Sequence, residues 1–150
     1  AYMRLADSRN IPEYKTPLIV LYETVNAYGN MVLNANSEIE INSSGYYQIN
    51  FTTSIDIVGT TSSSLRFTNK SYLMKYDANP TPTNTKISGS TCYIYNRTAT
   101  EGEGSGSNSC IVYLVAGNKI TTYVERHFIS TGSTSLNLIN DACSITVLKL

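Results

Sequence analysis

Tryptophan is absent from this chain, histidine occurs once, and only 15% of the residues carry charge. A single imidazole leaves few groups that exchange protons near neutral pH, which works against general acid–base catalysis. Lys and Arg number 11 against 11 Asp and Glu. The basic excess that holds phosphate backbones or anionic membranes is therefore missing, and nucleic acid is not an expected partner. No run approaches the ~18 continuous apolar residues of a membrane span, so membrane insertion is not expected either. The opening Ala1-Tyr2-Met3-Arg4 holds no apolar signal-peptide core, and a start at Ala leaves room for a stalk or an export signal upstream. No G-x-S-x-G, H-E-x-x-H, Walker or dinucleotide fingerprint occurs.

What is present is polar, uncharged and strand-forming. Ser, Thr and Asn supply 51 of the 150 residues and Tyr another 12, a mixture that suits strands and turns. The length fits one domain, 1–150, with 1–15 as an N-terminal flank or stalk connection. Two-residue alternation dominates. From Tyr46 to Val58, Tyr47, Ile49, Phe51, Ile55 and Ile57 fall on one face and Gln48, Asn50, Thr52, Ser54 and Asp56 on the other. Ser37 to Asn42 alternates as strictly, and Ser43-Ser44-Gly45 supplies the turn between them. Further strands are expected over Thr16 to Glu23, Leu65 to Tyr76, Thr91 to Asn96, Cys110 to Ala116, Lys119 to Ile129 and Cys143 to Leu150. The pieces Asp77 to Gly89 and Thr98 to Ser109 are expected to be long loops. No window shows a capped helical period. The fold class is all-β, a sandwich or barrel of eight to ten strands.

Leu18-Ile19-Val20-Leu21-Tyr22 and Ile111-Val112-Tyr113-Leu114-Val115 are apolar on both faces, and Ser144-Ile145-Thr146-Val147-Leu148 is nearly so. A two-layer sandwich gives each sheet one dry face, so such strands need an outer cover. Another copy of the chain or the loop Asp77 to Gly89 could supply it.

The order of motifs resembles the C1q/TNF-like jelly roll. Gly45-Tyr46-Tyr47-Gln48-Ile49-Asn50-Phe51 is similar to that family's glycine–aromatic strand. Ile111 to Ile120 is similar to its strand, Gly-Asp turn, strand element, with Asn118 in place of the acid. Ser133 to Leu150 resembles its closing strand, and Pro17-Leu18-Ile19-Val20 the opening strand beside it. The Asn- and Thr-rich style is similar to the C-terminal heads of bacterial collagen-like spore and cell-surface glycoproteins (BclA-like), and phage fibre heads share the architecture. The resemblance implies a jelly roll of about ten antiparallel strands in two sheets, forming a homotrimer at the tip of a fibrous stalk. Leu18, Val20, Tyr113, Leu114, Val147 and Leu148 would then be divided between the core and the threefold interface.

The remaining candidates for chemistry each have a structural alternative. His127 follows Glu125 and Arg126 on a strand, and the run is expected at a solvent-facing or interchain surface. Cys92, Cys110 and Cys143 show no metal-ligand spacing. Cys92 and Cys110 bracket a Gly/Ser/Glu-rich loop, and a bridge there would stabilise by roughly 3 kcal/mol; the alternative is buried thiols acting as small apolar residues. Cys143 is expected to be a buried free thiol. Glu101 and Glu103 sit in a Gly-rich loop whose carboxylates could ligate Ca²⁺, or simply be solvated; no other cofactor is expected. Sequons at Asn42, Asn50, Asn69 and Asn96 arise readily in so Asn/Thr-rich a chain and are discounted. Tyr93 and Tyr95 could stack on sugar rings or serve an interface. The expected function is a non-enzymatic trimeric head that assembles a fibrous surface glycoprotein and presents its long loops for adhesion. The alternative is a phage or viral receptor-binding head recognising host glycans. Either places the domain on an extracellular surface of a spore, cell or virion, with itself and a glycan or surface receptor as partners.

Overall fold

The computed structural model describes residues 2–5, 11, 18–20, 22–26, 29, 31–35, 37–58, 66–77, 83–97, 102–129, 135–140 and 142–150. Among these there is no helix, and thirteen strands are formed. They are β1 (Tyr2–Leu5), β2 (Leu18–Ile19), β3 (Tyr22–Asn26), β4 (Met31–Leu33), β5 (Ile39–Ile41), β6 (Gly45–Val58), β7 (Arg66–Asp77), β8 (Thr83–Lys86), β9 (Cys92–Arg97), β10 (Gly104–Leu114), β11 (Lys119–Ile129), β12 (Ser135–Leu138) and β13 (Ser144–Lys149). One sheet runs β10-β6-β13-β1-β3, with β12 also on β6. The other runs β4-β5-β11-β7-β8, with β2 on β11 and β9 on β7. All the strand pairings are antiparallel, and the two sheets form a jelly-roll sandwich.

The alternation read along β6 is realised. Tyr47, Ile49, Phe51, Ile55 and Ile57 are buried between the sheets. They meet Ile145 and Val147 of β13, Leu73 of β7 and Val124 of β11 in one core. Full burial of side chains of this size contributes about 1.5–3 kcal/mol each, before the opposing chain entropy.

Several expectations are corrected. The single strand expected over Thr16 to Glu23 is two short ones in opposite sheets: Leu18 pairs with Val124, whereas Tyr22 pairs with Leu5. Leu18, Val20 and Tyr22 are buried although they serve different sheets, so alternation of one dry and one wet face is not imposed on this stretch. It is also not the strand beside the closing strand. That place belongs to β1, where Met3 pairs with Ile145 and Met3 and Leu5 are fully buried. Part of the expected N-terminal flank is thus in the sheet; its alternating Tyr-Met-Arg-Leu was too short a pattern to read as a strand.

The two expected long loops also contain strands. Thr83–Lys86 is an edge strand on β7, exposed at every position, so it has no apolar face to betray it. It extends the β7 sheet and leaves the outward face of the β6 sheet uncovered by that segment. Gly104–Ser109 is the first half of β10, paired residue for residue with Ile55 to Asn50 of β6. Its Gly-Ser alternation is a strand pattern in which glycine replaces the apolar residue. A Cβ on Gly104 would lie 2.8 Å from the Tyr95 carbonyl oxygen, and one on Gly106 would lie 2.6 Å from Ile94 Cγ1. The sheets approach too closely there for any inward side chain.

The turn between β10 and β11 explains the asparagine that stands for the family's acid. Gly117 adopts φ +90°, a conformation that favours glycine. Asn118 is buried, its Oδ1 accepts the Val115 N–H at 3.0 Å, and its Nδ2 donates to Asp77 Oδ1 at 2.6 Å.

Two substitutions test this account. Asn118→Asp sets two carboxylates against each other and is expected to lower stability by about 1–3 kcal/mol at neutral pH in urea unfolding. Gly104→Ala is expected to cost about 1–3 kcal/mol by overpacking, whereas Ser107→Ala, on the exposed side of the same strand, stays within about 0.5 kcal/mol.

Candidate functional site

The outward face of the β6 sheet is ordered in rows. Tyr113 of β10 pairs with Tyr46 of β6, and the Leu150 N–H donates to the Tyr46 carbonyl. The next row is Ile111, Gln48 and Leu148. Beyond it the face turns polar, through Ser109, Asn50 and Thr146, then Ser107, Thr52 and Ser144. Tyr46, Ile111, Tyr113, Leu148 and Leu150 are each more than half exposed. The Tyr46 and Tyr113 rings meet edge-on with centroids 5.2 Å apart. Side-chain alternation explains the arrangement: inward neighbours of the same strands, Leu114, Tyr47 and Val147, fill the core.

Of the six residues assigned to core or interface, Leu18, Val20, Leu114 and Val147 lie in the core, while Tyr113 and Leu148 stand on this outward face. Leu18 and Val20 are not part of the β6 sheet. Tyr46, Ile111 and Leu150 complete the patch, and the sequence signal for them was their alternation with buried neighbours.

The outward face of the β7 sheet is aromatic and charged. Tyr72 of β7 and Tyr123 of β11 are paired in register and stack, with centroids 5.9 Å apart at 12°. Lys70 and Lys86 Nζ approach the Tyr72 ring at 5.7 and 5.6 Å. Tyr76 and Tyr123 share a hydroxyl–hydroxyl hydrogen bond of 2.6 Å. The run Glu125-Arg126-His127 is not a surface run. Glu125 and Arg126 are 6% and 8% exposed. Glu125 pairs with Lys70 at 2.6 Å and accepts the Tyr72 hydroxyl at 3.1 Å. Arg126 donates to the Ile11 carbonyl at 2.7 Å. A register shift between Arg126 and Phe128 makes His127 the bulged residue, half-buried, with its ring 5.3 Å from that of Tyr93. Tyr93 and Tyr95 project outward from β9, 59% and 56% exposed.

Burial, then the neighbouring Glu125 charge, pushes the Tyr72 phenol up to about 12. Burial and the Tyr123 hydrogen bond also raise Tyr76, and burial raises Tyr22, whose hydroxyl donates to Thr122 in the core.

The expected bridge between Cys92 and Cys110 is not formed; all three cysteines are free. Cys92 Sγ is hydrogen-bonded to Ser71 Oγ at 3.1 Å and faces the position of Gly106. Cys110 stands four residues, about 13 Å, further along β10 than Gly106. Loop-closure entropy favoured a bridge, but the segment it would close is largely strand rather than loop. Cys143 is buried, receives the Ser54 N–H at 3.2 Å, and is pushed up by burial to about 11. Glu103 is exposed, while Glu101 lies outside the described residues. Among the described residues no group of three or more His, Cys, Asp or Glu side chains could hold a metal ion. Two of the discounted sequon asparagines are structural. Asn69 and Asn96 are buried and joined at 3.0 Å, and Asn96 also donates to the Ile55 and Gly102 carbonyls.

No protein-family model and no curated protein matches the sequence. Solved structures do match in fold. Eiger TNF from S. frugiperda superposes with a TM-score of 0.65 at 12% identity, over 99% of this chain and 90% of that one. Murine APRIL at pH 8.0 gives 0.63 at 13% identity, over 99% and 96%. Murine APRIL at pH 5.0 gives 0.58 at 10%, over 93% and 95%. The chain is therefore an all-β, TNF-like jelly roll.

Because the Tyr72 phenol is harder to ionise folded, near 12, than at its ordinary 10.0, its contribution to folding stability is fully present below pH 10 and is lost as pH rises toward 12. Urea midpoints across that range are expected to drop, and Tyr72→Phe to shallow the slope. Thiol titration of the denatured, unreduced protein is expected to find three thiols per chain.

Proposed function

We propose that this domain is a non-enzymatic homotrimeric head that drives assembly of a fibrous, collagen-like glycoprotein at an extracellular surface. The observation that carries this reading is the pair of apolar rows on the outward face of the β6 sheet, through Tyr113, Tyr46 and Leu150 and through Ile111 and Leu148. Along the rest of this face of the β6 sheet, the outward residues Ser109, Asn50, Thr146, Ser107, Thr52 and Ser144 are polar. A cluster of two tyrosines, two leucines and an isoleucine around Gln48 on the wet side marks a surface covered by another chain. A second copy is the economical cover, because a cyclic oligomer uses one repeated contact. Three copies are what the C1q/TNF-like resemblance implies, and the jelly-roll fold shared with Eiger TNF and APRIL supports that choice. The polar rows below the patch would leave the other half of the same face wet.

Light scattering at micromolar concentration is expected to give the mass of three chains. Tyr113→Glu with Leu148→Glu is expected to give a monomer with an unchanged β-type circular dichroism spectrum, since both side chains are exposed in the single chain. A monomeric unmodified protein overturns the reading.

A further inference from the structure

We propose that the side-chain amides of Gln48 from the three copies meet at the threefold axis, hydrogen-bond to one another in a closed ring, and set the alignment of the copies along that axis. This rests on the trimeric reading above and names the residue that makes its contact specific. Gln48 stands in the middle of the apolar cluster: Ile111 of β10 and Leu148 of β13 are its direct cross-strand partners, and Tyr46 lies two residues back along β6. Its chain neighbours Tyr47 and Ile49 are fully buried in the core, so its own side chain points outward, where it is half-buried in the single chain. Among the described residues its amide has no hydrogen-bond partner. In the single chain water serves the amide. Once another chain covers the flanking Ile111 and Leu148, water is expelled from Gln48 as well, and the amide needs a partner within the contact.

That partner is another Gln48. A surface repeated about one axis brings the residues at its centre against their own copies, whereas residues off the axis meet different ones. Strand β6 is the middle of the three strands β10, β6 and β13, and Gln48 is the centre of the cluster on it. A primary amide can satisfy its own copy, because it carries both donors and an acceptor. Each Gln48 Nε2 donates to Oε1 of the next, and the ring closes after three. A charged residue at this place would repel its copies. Positions 46–52, 107–113 and 144–148 carry no charge at all, whereas the outward face of the other sheet holds Lys70, Lys86 and Glu125. The ring also fixes alignment. Outward positions along β6 repeat every ~7 Å, and apolar contacts through Tyr46, Ile111 and Leu148 would tolerate a slide of one such step. A slide would enclose each amide against an apolar side chain, so a single alignment keeps all three paired.

The test uses the full chain and reads mass by light scattering and by native mass spectrometry, with one chain of each mixture isotope-labelled. Because Gln48 points outward in the single chain, its variants are expected to keep the β-type circular dichroism spectrum. Gln48→Glu and Gln48→Lys are each expected to assemble at least tenfold more weakly than the unmodified protein, since each sets three like charges at one point. Mixed in equal amounts, these two variants are expected to recover assemblies of three that contain both chains, beyond the proportion random exchange gives. Gln48→Leu is expected to assemble at least as tightly as the unmodified protein, yet to show more than one set of amide signals at Tyr46, Ile111 and Leu148 where the unmodified protein shows one. Gln48→Glu assembling as tightly as the unmodified protein, random mixing of the two charged variants, or a single set of signals in Gln48→Leu overturns the proposal, while the trimeric reading stands on the mass of the unmodified protein. A monomeric unmodified protein overturns both.

Discussion

Because β6 pairs with β10, β12 and β13 while sending five large apolar side chains into the layer between the sheets, its register constrains most of the molecule. A slip of one residue would turn Tyr47, Ile49, Phe51, Ile55 and Ile57 outward and bring Gln48 and Asn50 into the core. No other face could take them. The register in turn sets which residues of β10 and β13 line up beside Tyr46 and Gln48, and so where the apolar patch lies. The buried Tyr22 to Thr122 hydrogen bond and the Asn69 to Asn96 pair hold specific partners across the layer and between strands, where an apolar contact would tolerate sliding.

The parts of the fold that were legible in the sequence are those in which one face is dry and the other wet. Strand β6 announces itself because burial on a single side imposes a period of two, whereas β11 is covered on both faces over Ile120 to Thr122 and Val124 to Arg126. The same logic fails where a segment leaves its sheet. Leu18 to Tyr22 reads as one continuous apolar strand, yet it crosses between layers and contributes to both. It fails again where packing is too tight for side chains, since Gly104 and Gly106 satisfy the core by being absent from it. A fully exposed edge such as Thr83–Lys86 has no dry face at all, so only its backbone pairing makes it a strand.

The candidate surfaces were legible to different degrees. Tyr113 and Leu148 could be found because apolar residues flank them on both parities. Glu125 and Arg126 could not be placed, since a charged pair in sequence gives no sign that Lys70 and Tyr72 on another strand will enclose the carboxylate, or that a bulge will turn His127 aside. Ile111 and Leu148 lie 63 and 100 positions from Gln48 and become its neighbours only through the β10–β6 and β6–β13 registers. Chemistry assembled by pairing across strands is invisible to local pattern, however regular each strand is.

The glycine-serine half of β10 has a consequence for motion. From Gly104 to Ser109 this strand contributes no apolar side chain to the core; beyond the backbone ladder to β6 it is held by the Ser54–Ser105 hydroxyl hydrogen bond at 2.7 Å, by Asn108, which donates to the Gly89 and Thr91 carbonyls, and by the close approach of Gly104 and Gly106 to β9. The half from Cys110 to Leu114 is anchored by Val112 and Leu114. Segments with few buried apolar contacts open locally at lower free energy than the core. One continuous strand therefore has two dynamic halves: amide protons near Gly104 exchange through small local openings, while those near Leu114 wait for the whole domain to unfold.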